Sequence, residues 1–422
     1  MKFRIILILI ACSLSLTYGQ YNLNYFVKKA EQNSPALKQF TNLIPIGSLE
    51  YKLDKAQNSA FQVYLTADYL FSPYFNNKGH LISTSPGANA IGYDVGITNG
   101  GLYSAMINVD KNIFNGSLLD ALQEQKNVSE MNNMDNILLE KHSLQKSITN
   151  QYLTALQDAW LNKLSNDVIQ NLNQQLKISE GLVEQGYLKA SDYLLLKIEL
   201  KNQLREQNSL QQQFRTELYN LYSACGIRDT SIVKLDTVSL IITQTDSTSR
   251  FLRRYYLDSL TTEIQQRVFE SKYQPQVKLF FNTGLNAVEI DNIQKRFGLS
   301  AGIDFSLPIF DGGQKDITRQ QNLLRMKTIS DFKNYSRINI EKSLIDSKKN
   351  ISIQKKNLDD LNDQIQDYSK VMDISYRELQ QGNLSMVDYL TLLRNFIDLK
   401  KNKITTEINY QLAINNYNYW NW

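Results

Sequence analysis

Few residues of this chain stand at spacings that could support chemistry. The only two histidines, His80 and His142, each lack a second His or Cys at a metal-pair spacing, so a solvated or packed histidine is the simpler reading of both. Gly312-Gly313 is followed by Gln314-Lys315-Asp316 and not by the Lys-Ser/Thr of a phosphate loop. Asp359-Asp360 and the pair Asp363 and Asp367 have the helical spacing of a solvated polar face. No residue set argues for an enzyme, a bound metal or a cofactor. Asp192 and Asp388 stand apart, because each follows a glycine, Gly186 or Gly382, by six residues. Gathered around an axis, such residues would form rings of aspartate and a cation-binding constriction. They could equally cap the first turn of a helix, where negative charge is favoured. The spacing leaves both readings open.

The elements that must position these residues are duplicated. Ile113-Phe114-Asn115-Gly116 returns 196 residues later as Ile309-Phe310-Asp311-Gly312, and Gln185-Gly186 with Asp192-Tyr193-Leu194 and Leu196 returns at the same offset as Gln381-Gly382 with Asp388-Tyr389-Leu390 and Leu392. Two landmarks with conserved separation imply duplication of a long module without insertions. The copies differ at the turn, where Lys189-Ala190 corresponds to Ser385-Met386. A gate that distinguishes the two copies would be sought there.

Neither glycine nor proline occurs in Ser117–Glu180, Tyr187–Cys225, Gln314–Gln381 or Asn383–Trp422, so these runs predict long helices. At 1.5 Å per residue the two longer ones would each extend about 100 Å. Leu358, Leu361, Ile365, Tyr368, Met372, Ser375 and Leu379 alternate three and four apart, a coiled-coil seam. Ile169, Leu172, Leu176, Ser179 and Val183 repeat it in the first half. Gly186 and Gly382 are the breakers at which each long helix should reverse into an antiparallel hairpin.

Before each hairpin the apolar period changes to two. Phe61, Val63, Leu65, Ala67, Tyr69 and Phe71 alternate with mostly polar residues, as do Tyr103, Ala105, Ile107 and Val109. The second half repeats this in Val277, Leu279, Phe281, Thr283 and Leu285, then in Leu299, Ala301, Ile303, Phe305 and Leu307. Two such strands per half fit a transmembrane β-barrel, and they fit a half-buried soluble sheet as well. Four strands cannot close a barrel, so a spanning reading requires several chains. The segments 73–101 and 286–298 read as surface loops. Shorter helices are expected over Leu23–Phe40, Leu49–Ser59 and Phe251–Lys272. Arg228–Arg250, with Ile232, Val233, Leu235, Val238, Leu240, Ile241 and Ile242, reads as a packed connection between the halves.

Residues 1–19 have the layout of a signal peptide: Lys2 and Arg4, an apolar core from Ile5 to Leu16, and Thr17 and Gly19 before Gln20. Leu9-Ile10-Ala11-Cys12 also resembles a lipoprotein box, but it leaves an apolar core of only six residues. With the leader set aside, Cys225 is the single cysteine, and 44 basic residues face 42 acidic ones. An internal disulfide is excluded, and so is charge-driven binding of nucleic acid. The boundaries that follow are a first repeat over 20–226, with strands near 61–72 and 102–113 and a hairpin over 115–226 with its tip at 186; a linker over 227–250; and a second repeat over 251–422, with strands near 276–286 and 299–309 and a hairpin over 312–422 with its tip at 382.

A leader, two tandem units of two strands plus a long hairpin, and a glycine followed six residues on by Asp-Tyr-Leu in each unit together resemble the outer-membrane efflux channels of the TolC family. The resemblance covers essentially the whole mature chain. It implies a mixed α+β membrane protein: a homotrimer whose four strands per chain form one 12-stranded barrel in outer-membrane lipid, continued by a helical coiled-coil tunnel across the periplasm. It implies two partners, a periplasmic adaptor and an inner-membrane transporter, for which the channel is a passive exit duct in efflux or type I secretion. Carried over by position, Gly186 and Gly382 become the tip turns, with Ser191 and Ser385 in the groove that adaptor hairpins touch. Asp388 and Asp192 become tip acids of the constriction. Thr391 stands where family members carry a second acid, and Leu379 and Leu384 replace aromatic and basic locking residues. The constriction is therefore expected to be less anionic and to lack an ionic lock at these places. The competing reading is an exported coiled-coil structural or adhesive envelope protein, which accounts for the helices but not for strands of spanning length before each hairpin.

Overall fold

The computed structural model describes residues 21–71, 73–77, 80–83, 88–89, 91–92, 103–244, 249–288 and 290–422. The expected leader, the alternative lipid site at Cys12 and residues 93–101 of the expected 73–101 loop lie outside the described residues. The elements are α1 (Leu23–Asn33), α2 (Pro35–Ser59), β1 (Gln62–Tyr69), β2 (Tyr74–Asn77), β3 (His80–Ser83), β4 (Tyr103–Asn112), α3 (Gly116–Glu184), α4 (Ala190–Ala224), α5 (Arg253–Glu270), β5 (Gln276–Ala287), β6 (Phe297–Ser306), α6 (Gln314–Gln380) and α7 (Met386–Trp420). Short 3-10 turns cover Arg250–Leu252, Ser271–Tyr273 and Ile290–Lys295. No described helix is long and apolar enough to cross a membrane.

The chain divides into two compact units, and each draws on both sequence halves. One contains Thr41–Met134 and Arg254–Phe332, and the other the residues up to Phe40, Asp135–Arg253 and Lys333–Trp422. In the first unit, β1, β4, β5 and β6 form an antiparallel sheet in the order β1-β4-β5-β6. The register carries the period-two pattern across all four strands: Val63 faces Val109, which faces Phe281, which faces Ala301, and Leu65, Ile107, Thr283 and Leu299 form the next rung. One face is thereby apolar throughout. In this chain it is bare, with Leu65, Leu299, Ile303, Phe305 and Phe297 all strongly exposed. A soluble sheet would cover such a face with its own core.

Two expectations for this region are corrected. The sequence predicts helices over Leu23–Phe40 and Leu49–Ser59, separated by residues 41–48. The break falls instead at Ser34, whose hydroxyl accepts from the Leu37 amide at 3.3 Å, with Pro35 pre-set for a first helical turn. Helix α2 then runs on through Pro45, which costs one backbone donor but does not stop it. The segment 73–101 is not only loop, because β2 and β3 pair within it, Phe75 against Ile82, and Phe75 also bridges to Ile91. His80 therefore opens a strand.

In the second unit each long helix folds back on itself, as the partners on either side of each turn show. Asn166 bonds Gln207 and Gln151 bonds Glu217 in the first hairpin. In the second, Ser347 bonds Asn416 and Tyr368 stacks on Phe396 at 5.8 Å. Along the seam, Ile169, Leu172, Ser179, Met372, Ser375 and Leu379 are buried, and Leu176, Val183, Leu358, Leu361, Ile365 and Tyr368 are half-buried. A separate core gathers Phe26, Ile148, Tyr152, Leu156, Leu218, Leu221, Cys225 and Ile408. The connection after Gly226 packs into it without forming helix or strand. Leu235 is buried there, and Tyr152 donates its hydroxyl hydrogen to the Asp236 carbonyl at 2.6 Å. Further along, Asn418 accepts from the Thr243 amide and donates to the Ile241 carbonyl, so a side chain takes the place of a neighbouring strand.

Near the end of α7 an aromatic clasp forms. His142 stacks on Trp422 at 4.1 Å and on Tyr419 at 5.0 Å, and the Tyr419 carbonyl lies 2.9 Å from Nε2. Burial pushes the imidazole below its usual range, which keeps it a neutral donor to that carbonyl. Lys146 lies 4.1 Å over the Tyr419 ring. His142 is thus a packed histidine. Replacing Tyr152 by Phe should orphan the Asp236 carbonyl and lower the stability of this unit by about 1–2 kcal/mol, read as a shift in the denaturant midpoint.

Candidate functional site

Both hairpin turns have one backbone design. At the first, the Tyr187 amide reaches back to the Leu182 carbonyl (2.8 Å) and the Gly186 amide to Val183 (3.0 Å); at the second, Asn383 reaches Glu378 (2.9 Å) and Gly382 reaches Leu379 (3.1 Å). These are Schellman closures, which require a left-handed residue, and Gly186 and Gly382 supply it at φ 77° and 75°. The conformation excludes a side chain at little cost only for glycine.

The two returning helices start differently. Ser385 is the N-cap of α7: its Oγ accepts from the Asp388 amide at 3.1 Å and donates to the Asp388 carboxylate at 2.6 Å, a reciprocal box. Lys189 takes that place before α4 and makes no side-chain cap, so the Asp192 amide is held only by the Lys189 carbonyl at 3.0 Å. Asp388, Thr391, Ser191, Ser385, Gly186 and Gly382 are exposed and Asp192 is half-buried. Thr391 donates its hydroxyl hydrogen to the Val387 carbonyl at 2.9 Å. Asp388, Ser385 and Gly382 are thus brought together at one tip, and Asp192, Ser191 and Gly186 at the other. Capping, one of the two readings open for Asp388, describes its contacts.

Behind the tips the hairpins are joined through their interiors. Leu172, Leu196, Leu200, Met372, Tyr389 and Ile397 share one core, and buried Tyr389 accepts a hydrogen bond from Gln175 at 2.7 Å. An ion pair missed in the sequence crosses this junction. Glu199 on α4 is 2 % exposed and receives Arg394 of α7 through Nε (3.0 Å) and Nη2 (2.6 Å), while Gln203 donates to its other oxygen at 2.9 Å. Burial by itself would raise the Glu199 carboxyl, but the hydrogen bonds from Arg394 and Gln203 overcome it and hold the group below the usual carboxylate range. One heptad further on, Lys401 pairs with Glu206. The signal was available: acids seven apart in one copy, bases seven apart in the other, one residue out of step with the 196-residue offset. It was masked by the many other charges on these helices. The hairpins are thus tied by an ion pair whose carboxylate is buried and whose guanidinium reaches the surface.

In the strand unit, the face opposite the apolar one carries the polar groups. Asn108 donates to Thr66 at 2.8 Å, Ser104 to Asp68 at 3.2 Å, and Tyr64 to Asp110 at 3.0 Å. Phe280, an apolar residue on that side, lies over Gly302, where a Cβ would meet its ring at 2.3 Å. Among the described residues no group of three or more His, Cys, Asp or Glu is placed to hold a metal ion.

Two predictions follow from the tips. A depressed Glu199 carboxyl contributes stability that is complete above its ordinary value of 4.5 and is lost as pH falls through the lower folded value. Protection factors of the Leu196–Gln203 amides, referred to the intrinsic exchange rate at each pH, should therefore fall on acidification below pH 4.5, and Arg394→Ala should lower them at neutral pH by on the order of 2 kcal/mol. Lys189→Ser should complete a capping box with Asp192 and slow exchange at the first tip by about 1 kcal/mol, whereas Ser385→Ala should do the reverse at the second.

No protein-family model matches the sequence, and no curated protein matches it. Solved structures do. The outer membrane protein VceC of Vibrio cholerae superposes with a TM-score of 0.69 over 94% of this chain and 96% of its own, at 13% identity. The Campylobacter jejuni CmeC outer membrane channel gives 0.70 over 94% and 85% at 12% identity. The open state of the Neisseria gonorrhoeae MtrE outer membrane channel gives 0.62 over 94% and 88%, also at 12% identity. This chain has the fold of these outer-membrane channels, the fold implied by the resemblance to TolC-type efflux proteins.

Proposed function

We propose that the chain is one protomer of a trimeric outer-membrane exit duct, through which an inner-membrane transporter and a periplasmic adaptor pass substrates to the outside. The observation that carries this is the sheet: an uncovered apolar face, a hydrogen-bonded polar face, and two outer edges, on β1 and β6, with no strand beside them among the described residues. With an even number of antiparallel strands, β6 of one copy and β1 of the next run in opposite directions, so rotation about an axis pairs them antiparallel and closes a ring. In lipid every backbone group must find a partner, which only such closure provides. Three copies would give 12 strands, with the apolar face toward lipid and the polar face toward water. Each chain would contribute two tandem strand-and-hairpin repeats, over 20–226 and 251–422, joined by 227–250.

Further apolar surface favours assembly. On α6, Leu323, Leu324 and Phe332 are exposed in one unit, and Tyr335, Ile338 and Ile345 in the other. At the tips, Gly186, Ser191, Gly382 and Ser385 would meet the adaptor; since the Ser385 hydroxyl is committed to its cap, that site would offer shape more than a free donor. Asp192 and Asp388 would form the acidic constriction, with Thr391 beside them. A coiled-coil adhesive protein would leave the apolar sheet face unexplained.

Outer-membrane fractionation of the native protein should give an oligomer that shifts to the monomer position only on heating. A soluble periplasmic product would reject the duct. Asp388→Asn should weaken block of single channels by divalent cations, and unchanged block would remove Asp388 from the constriction.

A further inference from the structure

We infer that the polar face of the sheet carries a charge belt that makes the barrel prefer cations, on residues other than those of the hairpin tips. This rests on the duct reading, under which that face lines the pore. The register places Gln62, Tyr64, Thr66 and Asp68 of β1 on one side with Ser104, Asn108, Asp110 and Asn112 of β4, Lys278 and Asn282 of β5, and Ser300 and Asp304 of β6. Every acidic residue of these four strands falls on this face: Asp68, Asp110 and Asp304. Of the basic residues, Lys278 lies here too. Lys111 is on the apolar side, with its ammonium folded over the Phe61 ring at 4.4 Å.

Two net negative charges per chain therefore face one way, although the whole sequence carries a formal +4. The excess is a matter of placement, not of composition. Part of it forms a continuous band across all four strands. Tyr64 donates to Asp110, Lys278 lies 3.4 Å from that carboxylate and 3.7 Å from Asp304, and Lys278 and Asp304 are direct register partners. One ammonium is thus shared between two acids, and the more exposed of them, Asp304 at 59 %, keeps most of its surface free for solvent. The band lies at the end of the sheet that joins the helices, since Asp110 is two residues from the end of β4. Asp68, near the other end of β1, accepts from the neutral Ser104 hydroxyl and has no cationic partner among the described residues, so it adds charge further along the wall. Fixed carboxylates on a narrow aqueous wall concentrate cations and deplete anions over about 10 Å at 0.1 M salt, and over only about 3 Å at 1 M.

The test is the reversal potential of the full-length channel in neutral planar bilayers under a KCl gradient centred near ~0.1 M. The wild type should pass potassium in preference to chloride. The triple variant Asp68→Asn, Asp110→Asn, Asp304→Asn should lower the permeability ratio by about twofold or more, and Lys278→Gln alone, which leaves all three acids, should raise it. Heat-modifiable migration of each variant checks assembly. A wild type without cation preference, or a ratio unmoved by both the triple variant and Lys278→Gln, overturns the belt. Absence of any conductance from correctly migrating oligomer would instead reject the duct reading, and the belt with it.

Discussion

Backbone left unpaired, among the described residues, at the outer edges of β1 and β6 is the constraint on which the rest of this structure depends. A row of N–H and C=O groups cannot be left open, in water because it invites uncontrolled pairing and in lipid because nothing else can satisfy it. The four strands are ordered so that consecutive strands of one half never have to close the sheet by themselves, and β4 of the first half pairs with β5 of the second over ten rungs. Joining the halves in the middle of the sheet requires that both halves enter and leave it from the same side. Long helices then follow each strand pair, and the hairpins bring the chain back for the second pair.

Much of this was legible because the two periodicities are clean. Period two placed all four strands of the main sheet and the identity of their apolar face, and the alternation of three and four marked seam residues that are buried in the structure. Glycine alone marked the turns, since in these long runs only Gly186 and Gly382 could take the left-handed conformation that ends each first arm. What escaped the sequence depends on partners remote in the chain. Glu199 and Arg394 resemble any other charges on a helix until the hairpins are packed together, and the Asn418 side chain shows no sign that it will stand in for a strand beside residues 241 and 243. Helix α2 runs unbroken through residues 41–48 because a helix can lose the one donor of Pro45 where its flanks are stable, and β2 and β3 were hidden by their shortness.

The two tips show how duplicated elements come to differ without a change of backbone. Their closures match to within a few tenths of an ångström, yet one helix begins on a serine whose side chain exchanges hydrogen bonds with its aspartate and the other on a lysine whose side chain makes none. The Ser385–Asp388 box ties up a carboxylate that its counterpart, Asp192, keeps at liberty. Equivalent positions are therefore chemically unequal, and the inequality is concentrated in three residues.

The clasp around His142 gives α7 two unlike ends. At one, Ile408 and Ile414 are almost wholly buried, and Tyr419 is pinned between an imidazole and an ammonium. At the other, Val387, Asp388 and Thr391 stand in solvent. Yet Met386, Tyr389 and Leu390 of that same end are buried in the core shared by the hairpins. One end of α7 is thus held through ring faces and the other through aliphatic and phenolic packing, so different substitutions would loosen the two.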